Sequence, residues 1–309
     1  MVNNLQYINH DSIDKALWDE AIEASANGLI YAQSAFLDAM SPGWEALISP
    51  DYEYVLPLTW RKKWGIRYLC QPAFAQQLGI FSNNEIPKNI QTAFLEAAAG
   101  KFRLIEIFLN HGCPPERDAL LCNNFLVPLP RRYEAIREDY SKDLLKNLSR
   151  TQKFDLHYKE GTDTTEAFAI YRDTYGKNMG YRPTDWEAFD SLCKNLFATG
   201  ECFVRKVLRP MPHGNLSEEL LAIGLFLKDK KRIYNVASTT LPNGRMMEAN
   251  HFLMDQLIRE FAGTGLILDF EGSDLPGVAR FYQKFGPINQ PYFFWKKNQL
   301  PGILKWMKS

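Results

Sequence analysis

The stretch LDFEGSDLPGVARFYQKFG, residues 268–286, opens as a buried strand, because Leu266, Ile267 and Leu268 form an apolar run. Three acids then fall within six positions, Asp269, Glu271 and Asp274, ahead of a Pro-started amphipathic segment. Val278, Phe281, Tyr282 and Phe285 recur at helical spacing, so a helix is predicted from Pro276 until Gly286 ends it. An apolar strand that ends in carboxylates beside an aromatic helix reads as the edge of a cleft.

The elements upstream of this stretch occur twice. Residues 54–59 and 66–70 predict a hairpin with Arg61, Lys62 and Lys63 in its turn; residues 90–99 predict a helix stopped by Gly100, and 103–109 a strand. Half a chain later, 221–227 and 233–237 predict a second hairpin around KDKKR, 252–262 a helix stopped by Gly263, and 266–270 a strand. LEAAAGKFRLIEI (95–107) lies over IREFAGTGLILDF (258–270) without a gap, placing Gly100 on Gly263 and Glu106 on Asp269. Any two α/β units share a helix, a glycine and a strand; the matching hairpins with Lys-rich turns make this an internal duplication. A further helix is predicted over 14–26, closed by Gly28, and another over 140–156. The latter carries Leu144, Leu145 and Leu148 on one face and Lys142, Lys146, Arg150 and Lys153 on another, which suits either a solvated face or a phosphate-binding stripe. The boundary is placed before it, giving domains over 1–139 and 140–309.

A chain of 309 residues with 46% hydrophobic content suits two domains, and its 36 basic and 36 acidic side chains supply no overall field toward DNA or an anionic membrane. The five cysteines form no CxxC pair, and His111, Cys113 and Cys122 lack a fourth ligand, so no metal is expected. The start MVNNLQYINHDSIDKALW has no basic region followed by an apolar stretch, and no window approaches a membrane span; a soluble, cytoplasmic protein is expected.

ARFYQKFG (279–286) resembles the segment A-x-x-F-Y-x-K-x-G-F that ends the GNAT N-acyltransferase domain, with Pro287 in place of the last aromatic. The order hairpin, helix, strand, short helix and final strand (292–295, YFFW) is similar to the second half of such a domain. Two such halves resemble the FemAB-like group of fused GNAT-like domains, which includes aminoacyltransferases of peptidoglycan cross-bridges and BioF2-like acyltransferases of bacteria. The resemblance covers most of the chain. It implies an α/β (α+β) fold of two tandem GNAT-like domains, with mixed, mostly antiparallel sheets flanked by helices and the active site in the second. It further implies Tyr282 as the acid that protonates the leaving thiolate, and acyl-CoA as the donor. Acetyl-CoA-using members carry R/Q-x-x-G-x-G/A before the central helix; STTLPNGRMMEANHF (238–252) keeps only Gly244 and Arg245 of such a loop.

N-acyl transfer needs a neutral amine, a polarised carbonyl and a proton for the leaving group. Tyr282, Glu271 and Asp269 are the catalytic candidates, Glu271 ahead of Asp269 because Glu106 fills the position of Asp269 in the first half. Strand alternation sets Asp269 and Glu271 on one face. Asp274 suits a cap of the Pro276 helix, and Asp269, Glu271 and Ser273 have the same structural alternative. Asn243, Gly244 and Arg245 are the donor-binding candidates, against an ordinary Pro-Asn-Gly turn. Tyr181 and Arg182, in NMGYRPTDW after a helix over 165–176, are the acceptor-binding candidates, against a packed loop anchor. The leading expectation is an N-acyltransferase acting on a small-molecule or peptide amine. The alternatives are an aminoacyl-tRNA-dependent enzyme acting on a peptidoglycan precursor, and a double-GNAT binding protein without turnover.

Overall fold

The computed structural model describes residues 5–115, 119–211, 217–272 and 274–301, so Ser273 lies outside the described residues. The chain divides into two compact units, one of residues 1–122 with 291–309 and the other of residues 123–290. The chain thus leaves the first unit at Cys122 and returns to it at Pro291.

In the first unit, β1 (Gln6–Ile8), α1 (Lys15–Ala24), α2 (Ser34–Met40), β2 (Glu45–Ile48) and β3 (Val55–Leu58) precede the hairpin β4 (Trp60–Lys63) and β5 (Ile66–Cys70). α3 (Lys88–Lys101), β6 (Leu104–Leu109) and β7 (Leu120–Cys122) follow. Asp14 caps α1 by accepting from the N–H groups of Ala16 and Leu17. Arg61 to Lys63 lie in β4 and not in the turn, which is Trp64 and Gly65 at φ +49° and +80°; a two-residue hairpin turn requires such left-handed positions. Gly100 does not stop its helix, which runs to Lys101.

The second unit contains β8 (Phe125–Pro128), α4 (Tyr133–Arg137), α5 (Lys142–Thr151), β9 (His157–Glu160), α6 (Thr165–Met179) and α7 (Pro183–Thr199). There follow β10 (Cys202–Pro210), β11 (Glu218–Lys228), β12 (Arg232–Thr240), α8 (Pro242–Met246), α9 (Ala249–Phe261), β13 (Ile267–Asp269), α10 (Pro276–Gln283) and β14 (Ile288–Asn289). The last strand, β15 (Tyr292–Asn298), belongs to the first unit. Residue 140, the boundary read from the sequence, falls inside the second unit, because β8 and α4 join its sheet and core.

The two main sheets repeat one plan. One runs β4-β5-β6-β15-β7 and the other β14-β8-β13-β12-β11-β10-β9. β5 pairs parallel with β6, and β6 antiparallel with β15, which pairs with β7; β12, β13, β8 and β14 repeat this series. Each sheet therefore takes its penultimate strand from the other half of the sequence. Cys70 faces Glu106 in one register and Tyr234 faces Asp269 in the other, so the gapless alignment of Glu106 on Asp269 holds at the level of strand pairing. The core of the second unit collects Leu221, Phe226, Ile233, Leu253, Leu257, Leu268, Phe270 and Phe285 between the sheet, α5 and α9. Leu144 and Leu148 of α5 enter this core, whereas Lys142, Lys146, Arg150 and Lys153 are exposed.

Candidate active site

β13 stops after three residues because its last side chain folds back on the chain. Asp269 Oδ1 accepts the Glu271 N–H at 2.9 Å, Glu271 sits at φ +63° and Gly272 at φ +50°. Gly272 also packs so closely that a Cβ would lie 2.1 Å from the Asn123 carbonyl oxygen, so no other residue fits. β12 continues from Asn235 to Thr240 without a strand on that side, leaving a wedge where the two parallel strands part. Backbone groups along that edge of β12 are free of any β13 partner.

Asp269 and Glu271 do not share a strand face, since alternation ends at Asp269. Asp269 is 1% exposed; its Oδ2 receives Arg232 Nη1 at 2.9 Å and Asn124 Nδ2 at 3.1 Å, and Arg232 is itself 4% exposed. The acid common to both halves is thus the anchor of the strand end. Glu271 is partly buried, and desolvation raises its carboxyl to about 8. Asp274 does not cap α10; it accepts from the backbone and side-chain nitrogens of Asn123, and Leu275 holds the cap position with no side-chain bond.

α10 packs Phe281 and Tyr282 partly against the core and leaves Val278 exposed, and Phe285, just past its end, is fully buried there. The ring of Tyr282 stacks on Phe270, with centroids 4.6 Å apart and planes 12° apart, and Asn235 Nδ2 donates to its hydroxyl at 3.4 Å. Asn235 is the first residue of β12 past the parting of the strands. Burial raises the Tyr282 pKa most, and the fields of Tyr171, Glu271 and Tyr175 raise it further, against the Asn235 bond. Tyr282 and Glu271 are therefore electrostatic neighbours at the head of the wedge. Tyr171 and Tyr175 come from α6, which packs across β11 and β12.

The other sequence candidates are dispersed. Tyr181 packs near Trp186, with centroids 5.9 Å apart, and Arg182 is the exposed residue before α7, its N–H given to Asp185 Oδ2. Asn243 donates to Glu219 at 2.6 Å. Gly244 and Arg245 line a cleft of about 330 Å³ at the start of α9, together with Tyr175, Glu248, His251 and Phe281. Gly244 is there for packing, since a Cβ would lie 2.1 Å from the Leu221 carbonyl oxygen.

These residues do not fit a coenzyme A diphosphate held in the glycine-loop manner. The segment is a short helix in place of a glycine loop, with the Arg245 N–H bonded to the Leu241 carbonyl and the Met247 N–H after it bonded to the Gly244 carbonyl. Glu248, at φ +57°, sets a carboxylate into the cleft. Sequence reasoning missed Asn235, Glu248 and His251. The i, i+3 spacing of Glu248 and His251 was the available signal for the last two.

Comparison with solved structures finds the same architecture across the chain. FemX matches with a TM-score of 0.67 at 13% identity, over 98% of this chain and 100% of that one. A tandem GNAT protein from the clavulanic acid biosynthesis pathway matches with a TM-score of 0.52 at 10% identity, over 97% and 100%. The chain has a FemAB-like tandem GNAT fold. A conserved protein of unknown function from Bacteroides thetaiotaomicron also matches, with a TM-score of 0.53 at 10% identity over 91% and 97%. No family model and no curated protein sequence matches the chain. Among the described residues, no helix is long and apolar enough to cross a membrane.

Proposed function

We propose that the chain is an N-acyltransferase that moves an acyl group from an activated donor to a primary amine at the wedge between β12 and β13. The observation that carries this reading is the bond of Asn235 to the Tyr282 hydroxyl where the two strands part, with Glu271 near enough for its charge to raise the phenol's pKa. The open edge of β12 offers N–H groups to the donor carbonyl oxygen, stabilising the charge that develops there. The amine nitrogen attacks the carbonyl carbon, and Glu271, whose carboxyl is raised to about 8, takes the proton that the nitrogen loses. The carbonyl re-forms, the bond to the donor's sulfur or oxygen breaks, and the Tyr282 hydroxyl gives that atom its proton. Burial keeps this phenol protonated, and Glu271 beside it returns the proton and closes the circuit.

Asp269 and Arg232 position this site without entering the chemistry. Tyr181 and Arg182, at the turn from α6 to α7, are the proposed acceptor contacts, with Tyr171 and Tyr175 of the same helix nearer to Tyr282. Acyl-CoA remains the donor implied by the fold, with Arg245 as its one exposed cationic contact in the cleft. The poor fit of the α8 segment to a diphosphate favours a second reading, in which the donor is an aminoacyl ester such as aminoacyl-tRNA. Replacing Tyr282 by Phe is expected to lower single-turnover acyl transfer ~10²-fold while donor binding is kept. Assays of purified protein with acyl-CoAs and with aminoacyl-tRNA, read by mass spectrometry, test this. An unchanged rate in the Phe variant removes Tyr282 from the mechanism.

A further inference from the structure

A separate cleft of about 290 Å³ is lined by α4, the end of α5 and the middle of α9. It shares no residue with the wedge or with the cleft at the start of α9. Its floor is Asp255, which is 4% exposed; Oδ1 accepts the Tyr133 hydroxyl at 2.7 Å and Oδ2 accepts Gln256 Nε2 at 3.3 Å. Burial raises the Asp255 pKa, and the Tyr133 bond and the fields of Arg259 and Arg137 oppose that rise. This buried acid has no part in the acyl-transfer reading.

Arg137 and Arg259 line the mouth with Gln152, and all three are exposed, so the cleft opens to solvent. Arg259 lies over the Tyr133 ring, 4.1 Å from its centroid, which restrains the guanidinium. Neighbouring arginines are taken up by carboxylates, Arg131 by Asp139 and Arg150 by Glu248. Among the described residues, neither Arg137 nor Arg259 forms an ion pair, although both act through space on Asp255. Two cations thus face one acid that is already hydrogen-bonded. Lys142, Lys146 and Lys153 of the basic face of α5 do not line the cleft.

We propose that this cleft binds a small hydroxylated oxyanion, its carboxylate or phosphate held by Arg137 and Arg259 and its hydroxyl donating to Asp255. A guanidinium presents a fork of N–H donors that matches two oxygens of either anion. A carboxylate only accepts, so the part of the ligand that reaches Asp255 must donate. An anion without a hydroxyl leaves the floor unmet, and a neutral polyol leaves the arginines unmet. The space is at the small end of ligand pockets, which suits a molecule of a few carbons. The inference goes beyond the acyl-transfer reading and does not depend on it.

The test is calorimetric titration of the full chain with glycerol 1-phosphate and with glycerate, run separately to tell the two anions apart. At least one is expected to bind saturably, and glycerol is not. The matching anion without hydroxyls, methyl phosphate or propionate, is expected to bind about tenfold more weakly. The double variant Arg137→Gln with Arg259→Gln is expected to lose at least tenfold in affinity at an unchanged melting temperature, since both side chains are exposed. Lys142→Gln with Lys146→Gln, outside the cleft, is expected to bind as the parent does. The proposal is overturned if neither hydroxylated anion binds, if the anion without hydroxyls binds equally well, or if the lysine variant loses as much as the arginine variant.

Discussion

Glu271 occupies a left-handed backbone position and holds a carboxyl raised to about 8 by burial from an ordinary value of 4.5. The sign of its pH effect follows. Between those values the folded chain keeps a proton that the unfolded chain releases, so this residue lowers stability as pH rises through the window. The same rise creates the base, so the acyl-transfer rate is expected to climb with pH to a midpoint near 8. Glu271→Gln is expected to flatten that limb in a pH-rate profile and to abolish its share of the pH dependence of unfolding. A limb unchanged in Glu271→Gln would assign the base elsewhere. In the sequence, Glu271 stood out as the acid without a counterpart in the first half, and Tyr282 through its motif. Its left-handed backbone and its desolvation were not legible, because they belong to a turn whose next residue, Gly272, packs against Asn123, a contact between residues far apart in the chain.

At the scale of elements, β13 is held by an ion pair removed from water. Arg232, the first residue of β12, and Asp269 are both almost fully buried and meet at 2.9 Å. Removing one partner strands the other charge, so Asp269→Ala is expected to cost ~3–5 kcal/mol in denaturant unfolding. An apolar double replacement, Arg232→Met with Asp269→Leu, is expected to recover most of that loss. The strand, the helix α10 and the equivalence of Asp269 with Glu106 could be read from spacing alone, since periodicity reports which face is apolar. Arg232 could not, because KDKKR reads as a solvated turn until the register of β12 against β13 turns one member inward. Gly100 misled for a related reason: helix α3 packs well enough to run through it, while Gly263 at φ +81° ends the matching helix α9.

For the whole molecule, the duplication seen in sequence is completed by an exchange that sequence did not reveal. β15 is the middle of the trio β6-β15-β7, and β8 of the trio β13-β8-β14. Pairing partners are long-range choices that no local pattern encodes, which is why a boundary near residue 140 looked natural. Residues 123–290 contain every strand of their seven-stranded sheet, so this fragment is expected to give a dispersed amide spectrum on its own. Residues 1–122 lack β15, leaving β7 without its partner and one edge of β6 open, and are expected to aggregate. A well-dispersed spectrum from 1–122 would show the exchanged strand to be dispensable.

The exchange also orders events on the ribosome. The half made first waits for residues 292–298, about 170 residues after β7, which at ~5–20 residues per second is roughly ten to thirty seconds of translation. Through that interval the second unit is itself being made, its last strand β14 emerging only just ahead of β15, while the first presents an open β6 edge to every other nascent chain. The older part of this polypeptide is the last to be sealed.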